Sequence, residues 1–153
     1  MENKQSRETI ALAEYHDAMN VWGRAVKRLI DIVVSLCGIV LLSPIFVLVY
    51  LVILFAGGSV IYKQERIGYK GRKFYIYKFR TMRLDAEKMG PQLSHGGGDN
   101  DPRLTKIGKS LRAHHLDELP QLFNVFIGDM SFVGPRPERK FYIDQIMEYD
   151  KRY

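Results

Sequence analysis

Hydrophobic positions along this chain fall into one long block and several short periodic stripes. The block is residues 32–62, IVVSLCGIVLLSPIFVLVYLVILFAGGSVIY, with no charge between Asp31 and Lys63. A bilayer core about 30 Å thick takes ~20 apolar helical residues to cross, so this block predicts helix and is long enough to enter a membrane. Ser43-Pro44 lies near its middle, and a proline inside a helix removes a backbone hydrogen bond and kinks or breaks it. Each half, at 1.5 Å per residue, reaches only ~18 Å. Upstream, Leu12, Tyr15, Met19, Trp22 and Val26 recur at helical spacing. They predict a helix lying in the membrane interface or, alternatively, packed on the soluble part of the chain.

Downstream the period changes. Phe74-Tyr75-Ile76-Tyr77-Lys78-Phe79 is rich in strand formers, and Gly68 and Gly71 punctuate the approach to it; this predicts a short β-hairpin within 63–83. A short helical piece around Asp85–Met89 and a glycine-rich loop to Pro102 follow. His95, in that loop, reads as solvated. Leu104, Ile107 and Leu111 mark a helix ending near His114-His115. A second helix has Pro120 in its first turn and Gly128 as its stop, and Tyr142, Ile146, Tyr149 and Tyr153 mark a last one. The expected fold is mainly α with a short β-hairpin.

Charge decides how the block meets a membrane. Arg24, Lys27 and Arg28 precede it; Lys63, Arg66, Lys70, Arg72 and Lys73 follow it. Lys and Arg favour the cytoplasmic side, and a straight crossing leaves one cluster on the wrong side. A helix that enters, breaks at Ser43-Pro44 and returns satisfies both, so a re-entrant, monotopic hairpin is expected; a kinked crossing helix is the alternative. Three segments result: 1–23 amphipathic, 24–62 membrane-entering, and 63–153 a small cytosolic domain of amphipathic helices. Residues 63–83 carry eight Lys/Arg and one acid. Beside a membrane such a surface suits lipid headgroups or phosphate; single-stranded nucleic acid and a purely solvated charge cluster are the other readings. The chain as a whole is basic, +6 formally with pI ≈ 9.4. Its single cysteine, Cys37, lies in the block and cannot form an internal disulfide.

Three places carry candidate chemistry. Asp117-Glu118 precede Pro120 at the start of a helix, where acids cap free N–H groups and answer the dipole. The same place binds phosphate, a carboxylate held there stays ionised as a nucleophile must, and a neighbouring acid can hold Mg²⁺. Pro135 and Pro137 fix the backbone around Arg136, which suits either bidentate phosphate contact or a salt bridge that staples the loop. His114-His115 do not share a helix face and lack partners at zinc spacing.

Several ordered motifs bring a resemblance. They are the apolar helix with Ser43-Pro44; Gln64-Glu65-Arg66-Ile67-Gly68 with Lys78-Phe79-Arg80-Thr81-Met82; Asp101-Pro102-Arg103-Leu104-Thr105 with Gly108 and Arg112; Leu116-Asp117-Glu118-Leu119-Pro120-Gln121-Leu122; and Gly128 through Pro137. From about Arg24 onward the chain resembles the bacterial sugar transferase family, the monotopic phosphoglycosyl transferases. The resemblance implies an enzyme of the bacterial inner membrane, its catalytic domain on the cytoplasmic face. It would transfer a sugar 1-phosphate from a UDP-sugar to polyprenyl (undecaprenyl) phosphate and release UMP, the first membrane step of capsule, O-antigen, exopolysaccharide or glycoprotein glycan assembly. It implies Asp117 as nucleophile in a ping-pong reaction, Glu118 with Asp117 at Mg²⁺, and Arg136, Arg80, Arg103 and Arg112 toward phosphate or structural pairing. Implied partners are the UDP-sugar, polyprenyl phosphate, membrane lipids and downstream glycosyltransferases, with no nucleic acid. His115 stands where the family commonly has a small hydroxyl residue. The family pattern also continues past Tyr153, so the resemblance implies a catalytic domain incomplete at the C-terminus; with 23 residues before Arg24, the small, minimal form is expected. The alternative function is a non-catalytic membrane-surface module acting through residues 63–83.

Cysteines placed before residue 24 and after residue 70 are expected to react with an impermeant thiol reagent from the same side of a sealed vesicle. Labelling from opposite sides would rule out the re-entrant hairpin.

Overall fold

The computed structural model describes residues 19–57, 59–83, 85–86 and 101–149. Helix α1, Val21–Leu41, starts where the Asn20 side chain accepts the Gly23 N–H at 2.7 Å, satisfying one of the unpaired first-turn donors. Met19, Trp22 and Val26 therefore run directly into the long helix, and Arg24, Lys27 and Arg28 lie within it. Leu12, Tyr15 and the rest of 1–18 are outside the described residues.

The chain pauses at Leu42 and resumes as α2, Ser43–Phe55, with Pro44 in its first turn. Proline has no N–H to lose at that position. The two helices are bent by 61°. No single helix among the described residues is long and apolar enough to cross a membrane, but this bent pair has the length and composition to do so. One side of α2 is buried: Val49 and Ile53 form a core with Val60, Phe79 and Leu111, and Phe46 packs against it. Each fully buried aliphatic side chain contributes ~1.5–3 kcal/mol. Around the rest of α2, Val47, Leu48, Leu51 and Phe55 are exposed, as are Trp22, Leu29, Val33 and Val40 along α1. Soluble monomers rarely expose contiguous apolar surface on that scale.

The inward stripe of α1 is small and polar instead. Asp31 and Ser35 are buried, and the Ser35 hydroxyl donates to the Asp31 carbonyl at 2.5 Å. Gly38, one turn on, packs close to Leu122. This stripe lets α1 approach α4, Gln121–Ile127.

The hairpin is antiparallel: β1, Ile61–Ile67, pairs with β2, Lys73–Phe79, from Ile61↔Phe79 to Ile67↔Lys73. Its first two residues, Ile61 and Tyr62, come from the apolar block, which therefore ends as strand rather than as helix. The other edge of β2 is completed by one side chain. Asn124, fully buried, accepts the Tyr77 N–H at 2.9 Å and donates to the Tyr75 carbonyl at 2.7 Å. It satisfies strand groups that would otherwise be stranded under α4.

Helix α3, Lys106–Ala113, begins two residues later than Leu104. Leu104 is drawn into a β-bridge with Met82, and Thr105 caps the helix by accepting the Gly108 N–H at 2.9 Å. The helical piece expected at Asp85–Met89 is a turn at Asp85 and Ala86, closed by the Ala86 N–H on the Arg83 carbonyl; beyond it the chain, including His95, lies outside the described residues. The last helix, α5, is Lys140–Tyr149.

Gly108 sits where α3 crosses the segment after β2. A Cβ there would lie 1.9 Å from the Thr81 carbonyl oxygen, which is backbone and held by the Thr105 N–H. Gly108→Ala is therefore expected to destabilise the detergent-solubilised protein by about 1–3 kcal/mol or more, read as a fall in thermal midpoint. An unchanged midpoint would show that the crossing is loose.

Candidate active site

Asp117 and Glu118 do not cap α4. They occupy a separate 3₁₀ turn, Leu116–Glu118, and α4 begins after Pro120 with no side-chain cap bond. The turn exists because α3 ends abruptly. His115 adopts the left-handed conformation (φ 54°, ψ 19°), which non-glycine residues enter at a cost. The helix is thereby stopped and the next three residues re-aimed. His114 spends its ring Nδ1 on the Ser110 carbonyl at 2.8 Å, and both histidines are exposed. No group of three or more His, Cys, Asp or Glu side chains placed to hold a metal occurs among the described residues.

Three elements converge on the turn. Lys78 of β2 donates to Glu118 Oε1 at 2.7 Å, and Arg136 donates to the same oxygen at 2.8 Å. Arg112, in the last turn of α3, adds its charge from a third direction, acting on both Asp117 and Asp101. Asp117 is buried and Glu118 partly so. Their carboxyls respond oppositely. Burial pushes Asp117 above the usual carboxylate range, and the neighbouring Glu118 charge adds to it, against Lys78 and Arg112. Burial pushes Glu118 up as well, but the Lys78 bond and the charges of Lys78 and Arg136 outweigh it, so Glu118 lies below its ordinary value. The pair is split: one carboxylate held firmly ionised, the other more basic and partly desolvated. Splitting of this kind is how two adjacent acids take different roles.

Arg136 reaches Glu118 because its loop is tied at both ends. Lys27 donates to the Ser131 hydroxyl, and Asp31 accepts the Phe132 N–H at 3.2 Å. Arg28 donates to the Val125 and Phe126 carbonyls at 2.7 and 2.6 Å, a cationic cap on the α4 C-terminus. That terminus closes on Gly128 at φ +98°, a conformation costly to a residue with a Cβ. At the far end the Ile67 N–H donates to the Glu138 carbonyl at 2.9 Å, and Arg66 pairs with the Glu138 carboxylate at 3.3 Å.

The sequence-derived residues thus divide. Asp117, Glu118, Arg136 and Arg112 come together. Arg103 is a structural pair: its guanidinium forks onto Asp101, Nε to Oδ1 at 2.8 Å and Nη2 to Oδ2 at 2.5 Å. Arg80 lies apart from the acidic turn, on the wall of a cavity beside α2. Sequence reasoning assigned no role to Lys78 or Asn124. Lys78 stood among strand-forming aromatics and in the Lys78-Phe79-Arg80-Thr81-Met82 motif without a role of its own; Asn124 carried no signal.

The sequence pattern of the family described as bacterial sugar transferase matches residues 22–153. A Bacillus subtilis (strain 168) protein, provisionally named an undecaprenyl-phosphate N-acetylgalactosaminyl 1-phosphate transferase, is 46% identical over 122 residues, 79% of this chain and 66% of its own length. An Aeromonas hydrophila protein, named UDP-N-acetylgalactosamine-undecaprenyl-phosphate N-acetylgalactosaminephosphotransferase, is 43% identical over 121 residues, 78% of this chain and 28% of its own. A Salmonella typhimurium undecaprenyl-phosphate galactose phosphotransferase is 35% identical over 160 residues, 94% of this chain and 34% of its own. The chain thus spans between 28% and 66% of the length of these three relatives.

The Asp101–Arg103 fork makes a pH-dependent prediction. Hydrogen bonding by Arg103 holds the Asp101 carboxyl far below the usual range, against the opposing effect of burial. Between that depressed value and about pH 4 the unfolded chain binds more protons than the folded one, so stability rises with pH there. The contribution is fully present above about pH 4 and is lost as pH falls toward the folded value. Asp101→Asn is expected to cost about 1.5–3 kcal/mol at pH 7, with the gap to wild type narrowing below pH 4. Denaturation at pH 7 and pH 3 checks it; a gap that persists at acid pH would mean the fork is not its source.

Proposed function

Since this chain belongs to the bacterial sugar transferase family, we propose that it transfers a sugar 1-phosphate from a UDP-sugar to a polyprenyl phosphate at a membrane surface. The observation that carries the reading is the split carboxylate pair on the 3₁₀ turn, with Lys78 and Arg136 converging on Glu118. A surface module binding anionic lipid through its basic hairpin has no use for a buried acid of raised basicity.

A carboxylate oxygen of Asp117 attacks the sugar-bearing phosphorus of the UDP-sugar. The bond from that phosphorus to the bridging oxygen breaks, and UMP leaves with the oxygen and its electron pair. The sugar phosphate is then an acyl phosphate on Asp117. A phosphate oxygen of the lipid attacks the same phosphorus, the acyl oxygen–phosphorus bond breaks, and Asp117 is regenerated as a carboxylate. No net proton moves. Two successive displacements give ping-pong kinetics. A more basic carboxylate is the stronger nucleophile once ionised, and Lys78 and Arg112 supply the cationic field that favours that form. Arg136, exposed at the end of a tethered loop, is placed to exchange Glu118 for a substrate phosphate.

Asp117 and Glu118 also fit Mg²⁺, which takes one or two carboxylates and fills its shell with water and substrate phosphate. Bound there, the ion would neutralise charge on the transferring phosphoryl group. The bent α1–α2 pair, with its exposed apolar surface, is read as the re-entrant membrane element and the remainder as the catalytic part at the bilayer boundary.

In nanodiscs with Mg²⁺ and polyprenyl phosphate, the protein is expected to release UMP from one or more of a panel of UDP-sugars. Asp117→Asn should lower the rate by at least about a thousandfold. Without the lipid, intact mass should show a phosphosugar adduct on wild type and none on the variant. Release that survives in Asp117→Asn would overturn the assignment of the nucleophile.

A further inference from the structure

The strongest feature outside the acidic turn is a cavity of about 240 Å³ where α2 ends. Ile53, Ala56 and Gly57 form one wall, Met82 and Ile107 another, and Arg80 and Arg83 stand over it. One guanidinium nitrogen of Arg80, Nη2, is buried without a hydrogen-bond partner among the described residues. An unpaired buried donor costs ~1–3 kcal/mol, more for a charged group, and native structures keep few of them. The apolar wall is the last turn of α2 and the two residues after it, which in the re-entrant reading is where α2 leaves the hydrocarbon. A guanidinium above an apolar wall, at that depth, matches a molecule with a phosphate at one end and a hydrocarbon chain at the other.

The hairpin links the cavity to the acidic turn. The Arg80 N–H donates to the Val60 carbonyl at 2.9 Å, which continues the β1–β2 ladder by one pair. Strand alternation then puts Arg80 on the same face as Lys78, about 6–7 Å further along. Lys78 already touches Glu118.

We propose that this cavity is the seat of the lipid substrate: Arg80, with Arg83, takes the phosphate monoester, and the first carbons of the chain lie along Ile53 and Ala56 toward the bilayer. The proposal rests on the transferase reading for its choice of lipid. Its chemistry, a phosphate monoester on an isoprenoid chain, is shared in part by free inorganic phosphate, and the two sources separate experimentally.

The test is photo-crosslinking of a prenyl monophosphate with a diazirine on its chain to the protein in phosphatidylcholine nanodiscs, the modified peptides being mapped by mass spectrometry. No UDP-sugar is supplied, so the result stands or falls independently of turnover and of Asp117. Label is expected within residues 53–57 or at Met82, displaced by farnesyl phosphate and not by farnesol or inorganic phosphate at the same concentration. Arg80→Met should lower it at least tenfold, with partial recovery in Arg80→Lys. Ala56→Phe, which fills the apolar end without altering a charge, should lower it too and covers the case in which Arg80→Met does not fold. Label spread evenly over α1 and α2, or unchanged in both variants, would overturn the proposal. Displacement by inorganic phosphate as effective as by farnesyl phosphate would overturn the assignment to a lipid.

Discussion

Pro44 has no amide hydrogen to give, and the path of the chain follows from that. With Pro44 unable to donate, and the Val40 carbonyl taking the Ser43 hydroxyl instead, the apolar run turns by 61° instead of continuing as one rod. The turn brings Val49 and Ile53 against Val60, Phe79 and Leu111. The apolar block is thus also one wall of the hydrophobic core, and it delivers the chain into the hairpin. The remaining faces of α1 and α2 stay apolar and uncovered, a surface suited to lipid.

The site inherits its geometry from that arrangement. α1 carries two sets of groups on two faces. Its apolar face is outward, while Lys27, Arg28 and Asp31 grip the end of α4 and the loop that follows. The loop then presents Arg136, β2 presents Lys78, and both meet on one oxygen of Glu118. The consequence is electrostatic: Glu118 is held ionised while its buried neighbour Asp117 is left the more basic of the two. Any phosphate that reached Arg136 or Lys78 would compete with Glu118 for the same donors. Asn124 secures the strand that holds Lys78 by pairing with backbone groups on its other edge.

Much of this was legible one-dimensionally, because it depends on local rules. The uncharged run, the proline that interrupts it, the strand-forming aromatics and the Pro120–Gly128 bracket are set by backbone chemistry and by the period of apolar residues. They located α1, α2, the hairpin and α4 to within a few residues. Leu104 is an instructive exception. Its apolar spacing suits α3, yet a β-bridge to Met82 claims it, and no pattern along the chain announces a bridge between residues so far apart.

The acidic pair marks the boundary between the two kinds of information. Its residues and their order stand in the sequence and carried the family resemblance. Sequence alone also suggested that both acids would sit at the start of a helix. Tertiary structure decided otherwise: the left-handed His115 puts them on their own turn, burial raises Asp117, and two cations from distant segments lower Glu118. It also spent Arg103 on Asp101 and set Arg80 on the wall of a cavity, although the resemblance had left both, with Arg112, as candidates behind Arg136. A residue's type and its neighbours in the chain determine what chemistry it can offer. Desolvation and the meeting of charges depend on segments tens of residues apart, and only the folded chain fixes those distances.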